Sequence, residues 1–221
     1  MKRKRKRLTA VLIILAAVGL LSWGIAVLYQ YNYIPHKKYD SEHFGITPYV
    51  SAVDKDGDLT DDQTDILQSA RDYIQTNPQY KSKYYGTGYP DDEYGVCTDV
   101  VAYALLGAGY DLMELVNEDI LSHPDAYGIT EPDKNIDFRR VRNLKIFFKN
   151  TTNSLTTDVY DIEAWQGGDI VIFENHIGIV SDKRNKDGIP FVIHNANPIQ
   201  ADYEEDILET WGRIVGHYRV S

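Results

Sequence analysis

The chain has 221 residues and a formal net charge of −10, very unevenly distributed. Six consecutive basic residues, 2–7, open it, and without them 17 Lys and Arg stand against 33 Asp and Glu, a charge of −16. So acidic a remainder excludes nucleic-acid binding, which depends on neutralising phosphates, and a single cysteine excludes an intramolecular disulfide, so the fold must rest on its core.

Residues 8–29 carry no charge. At about 1.5 Å per residue they extend about 33 Å as a helix, enough to cross a hydrocarbon core of ~30 Å. The basic head, 1–7, is expected to stay cytoplasmic and everything past the span to lie outside. A cleaved signal peptide is the rival reading. Its apolar region is shorter and ends in small residues, whereas this run ends in Tyr29-Gln-Tyr-Asn-Tyr33. Residues 30–50, with Pro35 and Pro48 and little periodicity, read as a tether, and 51–221 as one extracytoplasmic domain of a size that buries a proper core.

Within the domain, Asp54, Asp56 and Asp58 are spaced as in calcium loops. Gly57 stands fourth rather than sixth, however, and Asp65 rather than Glu stands twelfth, so an acidic turn capping the next helix is the simpler account. That helix spans 61–76, with Ile66, Leu67, Ala70, Tyr73 and Ile74 on one face and Pro78 beyond its end. A Tyr/Gly/Pro loop follows, Tyr84-Tyr-Gly-Thr-Gly-Tyr-Pro90. The next helix starts at Cys97 and is wholly apolar or aromatic from Val100 to Leu106, the pattern of a central buried element. A second helix is expected from Asp111, as its cap, through Leu121, and a third from Asp137 to about Lys149. The period then changes to that of strands, at 167–173, 176–181, 189–194 and 213–220, the middle two joined by the polar turn 182–188. Helices first and an antiparallel sheet afterwards predict an α+β domain.

Cys97 opens its helix. There the helix dipole and free amide donors favour a thiolate, and a nearby imidazole would favour it further, so a lowered thiol pKa is expected. The hairpin supplies the imidazole. A turn centred near residue 185 puts His176 opposite His194, and a one-residue change of register puts it opposite Asn195; opposed residues share a face. A thiol, a base and a polar residue that orients the base make up a Cys-His hydrolase site.

The run 84–90, the Gly95-Val-Cys97 entry into an apolar helix, Gly168-Asp-Ile-Val and His176-Ile-Gly-Ile-Val together resemble the NlpC-type cell-wall peptidases of the papain-like superfamily. Within it, residues 61–220 resemble the bacterial family named domain of unknown function 1287, through Gly88-Tyr-Pro-Asp-Asp, Gly95-Val-Cys-Thr-Asp-Val-Val, Asn135-Ile-Asp-x-Arg-Arg-Val, His176-Ile-Gly-Ile-Val-Ser-Asp, Ile193-His-Asn and Gly216-His-Tyr-Arg. The resemblance implies a papain-like fold, with Cys97 as nucleophile, His176 as base and His194 as the polar third member. It also implies cell-wall peptide as substrate and no cofactor, and together with the uncharged span at 8–29 it makes the expected protein a single-pass one of the bacterial cytoplasmic membrane. NlpC-type enzymes carry Asp before the cysteine and Ser-Gly after it; here Val96 precedes, and Thr98 and Asp99 follow. Asp99 is therefore expected either to cap the helix or to meet a substrate amine. Tyr85, Asn195, Arg139 and Arg140 are candidate supporting residues, the arginines for a substrate carboxylate against the default of a solvated helix face. Two other readings compete with the thiol hydrolase. One is a catalytically silent domain that binds cell-wall peptides. The other is a zinc hydrolase using His176, His194 and His217, although no His-Glu-x-x-His pair is present.

Overall fold

The computed structural model describes residues 2–221; Met1 of the basic head lies outside them. The chain forms two compact units, 1–36 and 37–221. The first is dominated by one helix, α1 (Lys2–Gln30), whose segment Thr9–Gln30 has a mean hydropathy of 2.7 and is long and apolar enough to cross a membrane.

The second unit begins earlier than the sequence suggests. Residues 37–50, assigned to a tether, pack as part of it: β1 (Tyr39–Asp40) pairs with a sheet strand, a 3-10 turn follows at Ser41–Phe44, and Ile46 is buried. Arg184 holds this segment in place. Its buried guanidinium donates to Ser41 Oγ at 2.9 Å and to the carbonyls of Ile162, Gly188 and Trp165. Two residues of strand have no readable period, which is why the segment looked like linker.

Helix α2 (Asp62–Gln75) starts where Asp61 accepts from Thr64, and ends before Asn77, whose positive φ turns the chain. A short parallel pair, β2 (Gln79–Tyr80) and β3 (Tyr94–Gly95), then delivers the chain to α3 (Cys97–Gly107). The N-cap of α4 (Leu112–Ser122) is Asp111, which accepts from Met113 and Glu114 as expected. Two one-turn helices follow, α5 (Pro124–Tyr127) and α6 (Lys134–Asp137), and then α7 (Val141–Thr151). The single third helix predicted from Asp137 is thus broken at Arg139 and Arg140, where Arg140 is extended.

The sheet contains β4 (Asn153–Ser154), β5 (Ile170–Phe173), β6 (Ile177–Arg184), β7 (Pro190–Ile193), β8 (Glu204–Glu205) and β9 (Ile214–Arg219). Their order is β4-β9-β5-β6-β7-β8, with β1 also on β6, and every pairing is antiparallel. The protein is therefore α+β with an antiparallel sheet. Both faces of the sheet are buried. Ile170, Ile172, Ile177, Ile179 and Ile193 pack against Val100, Val101, Ala104 and Leu105 of α3. On the other face Val171, Phe173, Val180 and Val192 meet Trp165, Ile207 and Leu208 from the loops. Covering by loops on the second face explains why β5 reads as a continuous apolar run instead of alternating.

Candidate functional site

Three elements converge on the site: the start of α3, the start of β6 and the end of β7. Val96 is the N-cap residue of α3, and its side chain has no oxygen with which to cap. The role passes to Asp99, whose carboxylate accepts from Val96 N–H at 2.8 Å. The first amides of α3, those of Cys97 and Thr98, are left facing the cysteine sulfur, as is the N–H of Ile177 from β6. The sulfur thus lies against the residue that follows His176.

Cys97 is partly buried. Desolvation pushes its thiol up to about 11; the Ile177, Thr98 and Cys97 amides pull the other way, while the Asp99 charge adds to the rise. This reverses the expected lowering. The helix terminus is present, but among the described residues no cation acts on the sulfur, and burial disfavours the anion. At rest the site therefore holds a protonated thiol.

His176 and His194 are both buried, and His176 Nε2 lies 2.9 Å from His194 Nδ1. Among the described residues, His176 Nδ1 has no hydrogen-bond partner. Burial holds His176 down at about 2 and His194 at about 3, so both rings are neutral at ordinary pH. The two are not directly opposed, as a turn centred near residue 185 would require. The observed pairs are Ile179 with Ile193 and Val180 with Val192, with a bulge before Arg184 and Pro190. The tight turn sits nearer 187, closed by Asn185 N–H to Ile189 O. Continuing the pairing places Gly178, not His176, across from His194, and the rings meet on the diagonal. Gly178 makes that approach feasible: a Cβ there would lie 2.9 Å from Ile193 O and 3.3 Å from His194 Cβ.

Asn195 does not face the imidazole. It is buried and donates to Pro78 O at 2.8 Å and Gly95 O at 3.3 Å, tying β7 to the β2–β3 pair. Asp99 and Arg139 form a buried bidentate pair, Nε to Oδ1 at 2.6 Å and Nη2 to Oδ2 at 2.9 Å. Arg139 also donates to Lys83 O and lies over the Tyr85 ring, whose hydroxyl donates to Asp92 at 2.7 Å. Asp99, Arg139 and Tyr85 are therefore committed to supporting the entry into α3, and neither Asp99 nor Arg139 is free for a substrate charge. Arg140 is half exposed beside Asp137. His217 stands apart, its ring nitrogens on Thr156 O and Asp169 and its face stacked on Trp165 at 3.7 Å. The three-histidine zinc set is not assembled. Among the described residues, only Asp54, Asp56 and Asp58 bring three metal-ligand atoms within 4.8 Å of one another, and those carboxylates are exposed. Asp54 and Asp56 accept the loop's own amides, from Gly57, Asp58 and Leu59.

Two neighbours escaped sequence reasoning. Trp211 covers the imidazoles, its ring 4.5 Å from His176 and 5.4 Å from His194. Glu205, buried on β8, presents Oε2 at 3.2 Å to His194 Nε2. It sits in the run Glu204-Glu-Asp206, which reads as a solvated acidic stretch.

A family model described as Domain of unknown function (DUF1287) matches residues 67–220. The chain belongs to that family. The DUF1287 match contains every residue of the cysteine and histidine cluster. A relative from Escherichia coli (strain K12), Uncharacterized protein YijF, is 39% identical over 167 residues, covering 70% of this chain and 80% of its own. No solved structure matches the chain.

Proposed function

We propose that this DUF1287 domain is a thiol hydrolase of papain-like, NlpC-type fold that cleaves an amide bond in the peptide part of the bacterial cell wall. The observation that carries the reading is a cysteine at a helix N-terminus whose sulfur faces the N–H of Ile177, the residue next to a histidine whose Nε2 is fixed by a second buried histidine and whose Nδ1 is unengaged. Cys97 attacks the carbonyl carbon and His176 takes the thiol proton at Nδ1, giving a thioester; the same proton then goes to the leaving amine. The amides at the start of α3 are placed to bind the developing oxyanion. Because the resting thiol is protonated and the imidazole neutral, the proton moves during attack and not before it. α1 anchors the domain in the cytoplasmic membrane with the basic head inside and the domain outside, facing its substrate.

The experiment is digestion of purified wall material by the full-length protein, with products identified by mass. One observation favours a second reading: a thiol pushed up to about 11 is also what a silent, peptide-binding domain would have. Binding of wall peptides with no cleavage, and a thiol that reacts no faster than a free one, would select it.

A further inference from the structure

We propose that Glu205 is a positioning residue of this site: acting through His194, its carboxylate holds His176 in the one neutral tautomer that can accept the thiol proton. This rests on the Cys97–His176 reading and assigns a residue which that reading does not require.

The contacts form a line, Glu205 Oε2 to His194 Nε2 at 3.2 Å and His194 Nδ1 to His176 Nε2 at 2.9 Å, with all three residues buried. An ionised carboxylate only accepts, so His194 carries its proton on Nε2. Its Nδ1 is then a bare lone pair, which requires His176 to carry its proton on Nε2. That leaves His176 Nδ1 as a lone pair, the form a base needs. With a neutral donor at 205 every bond in the line reverses. His194 then donates from Nδ1, His176 carries its proton on Nδ1, and the ring has no lone pair to offer there. When the thiol proton does transfer, the S–H bond breaks, an N–H bond forms at Nδ1, and the positive charge lies one ring away from the Glu205 carboxylate.

The setting of Glu205 argues that it is held for this task. Its neighbour Glu204 is met by Lys38, Arg71 and Ser181. Glu205, equally close in sequence, is met by no side-chain cation: it has the His194 ring, the Asp202 amide at 3.3 Å on Oε1, and the Ala201 amide. The charged groups around it are Asp202 in the loop before β8 and, more distantly, Lys38 ahead of β1. A buried carboxylate without a bonded cation is costly, so packing alone does not explain it. Burial pushes its carboxyl up to about 7, with the Asp202 and Ala201 amides pulling the other way, so the two tautomeric arrangements exchange near neutral pH.

The test uses the full-length protein in detergent, labelled with ¹⁵N at histidine, and reads the His176 tautomer by NMR alongside the iodoacetamide alkylation rate of Cys97 against pH. In the wild type above pH 8, His176 should show a protonated Nε2 and an unprotonated Nδ1, and as pH is lowered alkylation should fall with a midpoint near pH 7. Glu205→Met should give mixed His176 tautomers and roughly tenfold slower alkylation at pH 8, the direction expected when a base loses its orienting carboxylate. Glu205→Gln, whose amide oxygen can still accept from His194, should recover part of the rate without the midpoint near 7. A single unchanged tautomer and an alkylation rate within about twofold of wild type in both variants would overturn the proposal. His176→Ala separates the two ideas. If it leaves alkylation unchanged, the Cys97–His176 reading fails and Glu205 with it; if it slows alkylation while the Glu205 variants do not, only the role of Glu205 fails.

Discussion

Glu205→Gln is expected to stabilise the protein at alkaline pH and to leave it no more stable at acid pH. The Glu205 carboxyl, 4.5 in an unfolded chain, rises to about 7 in the fold because burial penalises its charged form. Between those values the folded state holds the proton more tightly than the unfolded one, so stability falls as pH rises through the window. At about 1.4 kcal/mol per pH unit the full loss is about 3 kcal/mol, complete by about pH 8. Gln is neutral throughout and escapes it. The variant's advantage should therefore grow from nothing below about pH 4.5 to about 3 kcal/mol above pH 8, or roughly 6–12 °C in melting temperature for a domain of this size. Chemical denaturation of both proteins across this range measures the difference, and effects common to both, including those of the histidines, cancel. A pH-independent difference, or a variant that loses ground as pH rises, would refute the reasoning. Greater stability together with a slower thiol is what replacing a group kept for chemistry should produce.

The remaining predictions concern the supports of the site. Arg139→Ala leaves Asp99 buried and unpaired and should cost roughly 3–5 kcal/mol in denaturant unfolding, whereas Arg140→Ala, half exposed, should change stability by less than about 1 kcal/mol; equal effects would contradict this. Gly178→Ala puts a methyl group against Ile193 O and Val192 and should cost about 1–3 kcal/mol while displacing the His194 ring, visible as altered histidine NMR signals; an unperturbed spectrum would count against the close approach. The neutral His176 and His194, held at about 2 and 3, contribute stability that is fully present above pH 6.5 and is lost as pH falls. His194→Asn should therefore flatten the loss of stability between pH 6.5 and 4, and an unchanged slope would show that the ring is not desolvated as the structure has it.

The helices and long strands were legible because their apolar periods are strong: Ile66, Ala70 and their neighbours mark α2, and Val100–Leu106 marks the buried α3. The two-residue strands β1 and β8 carry no such signal, because two residues show no period and their place is set by pairing, β1 with the distant β6 and β8 with β7. Cys97, His176 and His194 were recognisable as chemistry-bearing residues at element ends, but the register joining the histidines was not, since a bulge within β6 shifts the count. Arg139 looked solvent-facing on a helical pattern; the break at Arg140 turns it inward onto Asp99. Glu205 and Trp211 were hidden for a related reason, one inside an acidic run and the other in a loop without period, each brought to the imidazoles only by the tertiary fold.

The most direct measurement is digestion of purified wall peptides by the full-length wild type and by the Cys97→Ala, His176→Ala and His217→Ala variants, with products followed by mass. The account predicts hydrolysed peptides from the wild type, each cut adding one water. It predicts none from Cys97→Ala or His176→Ala, since nucleophile and base act as a unit, and largely retained cleavage from His217→Ala, whose ring is engaged with Thr156 and Asp169. Cleavage that survives Cys97→Ala, or a wild type that binds the peptides and leaves them intact, would contradict it.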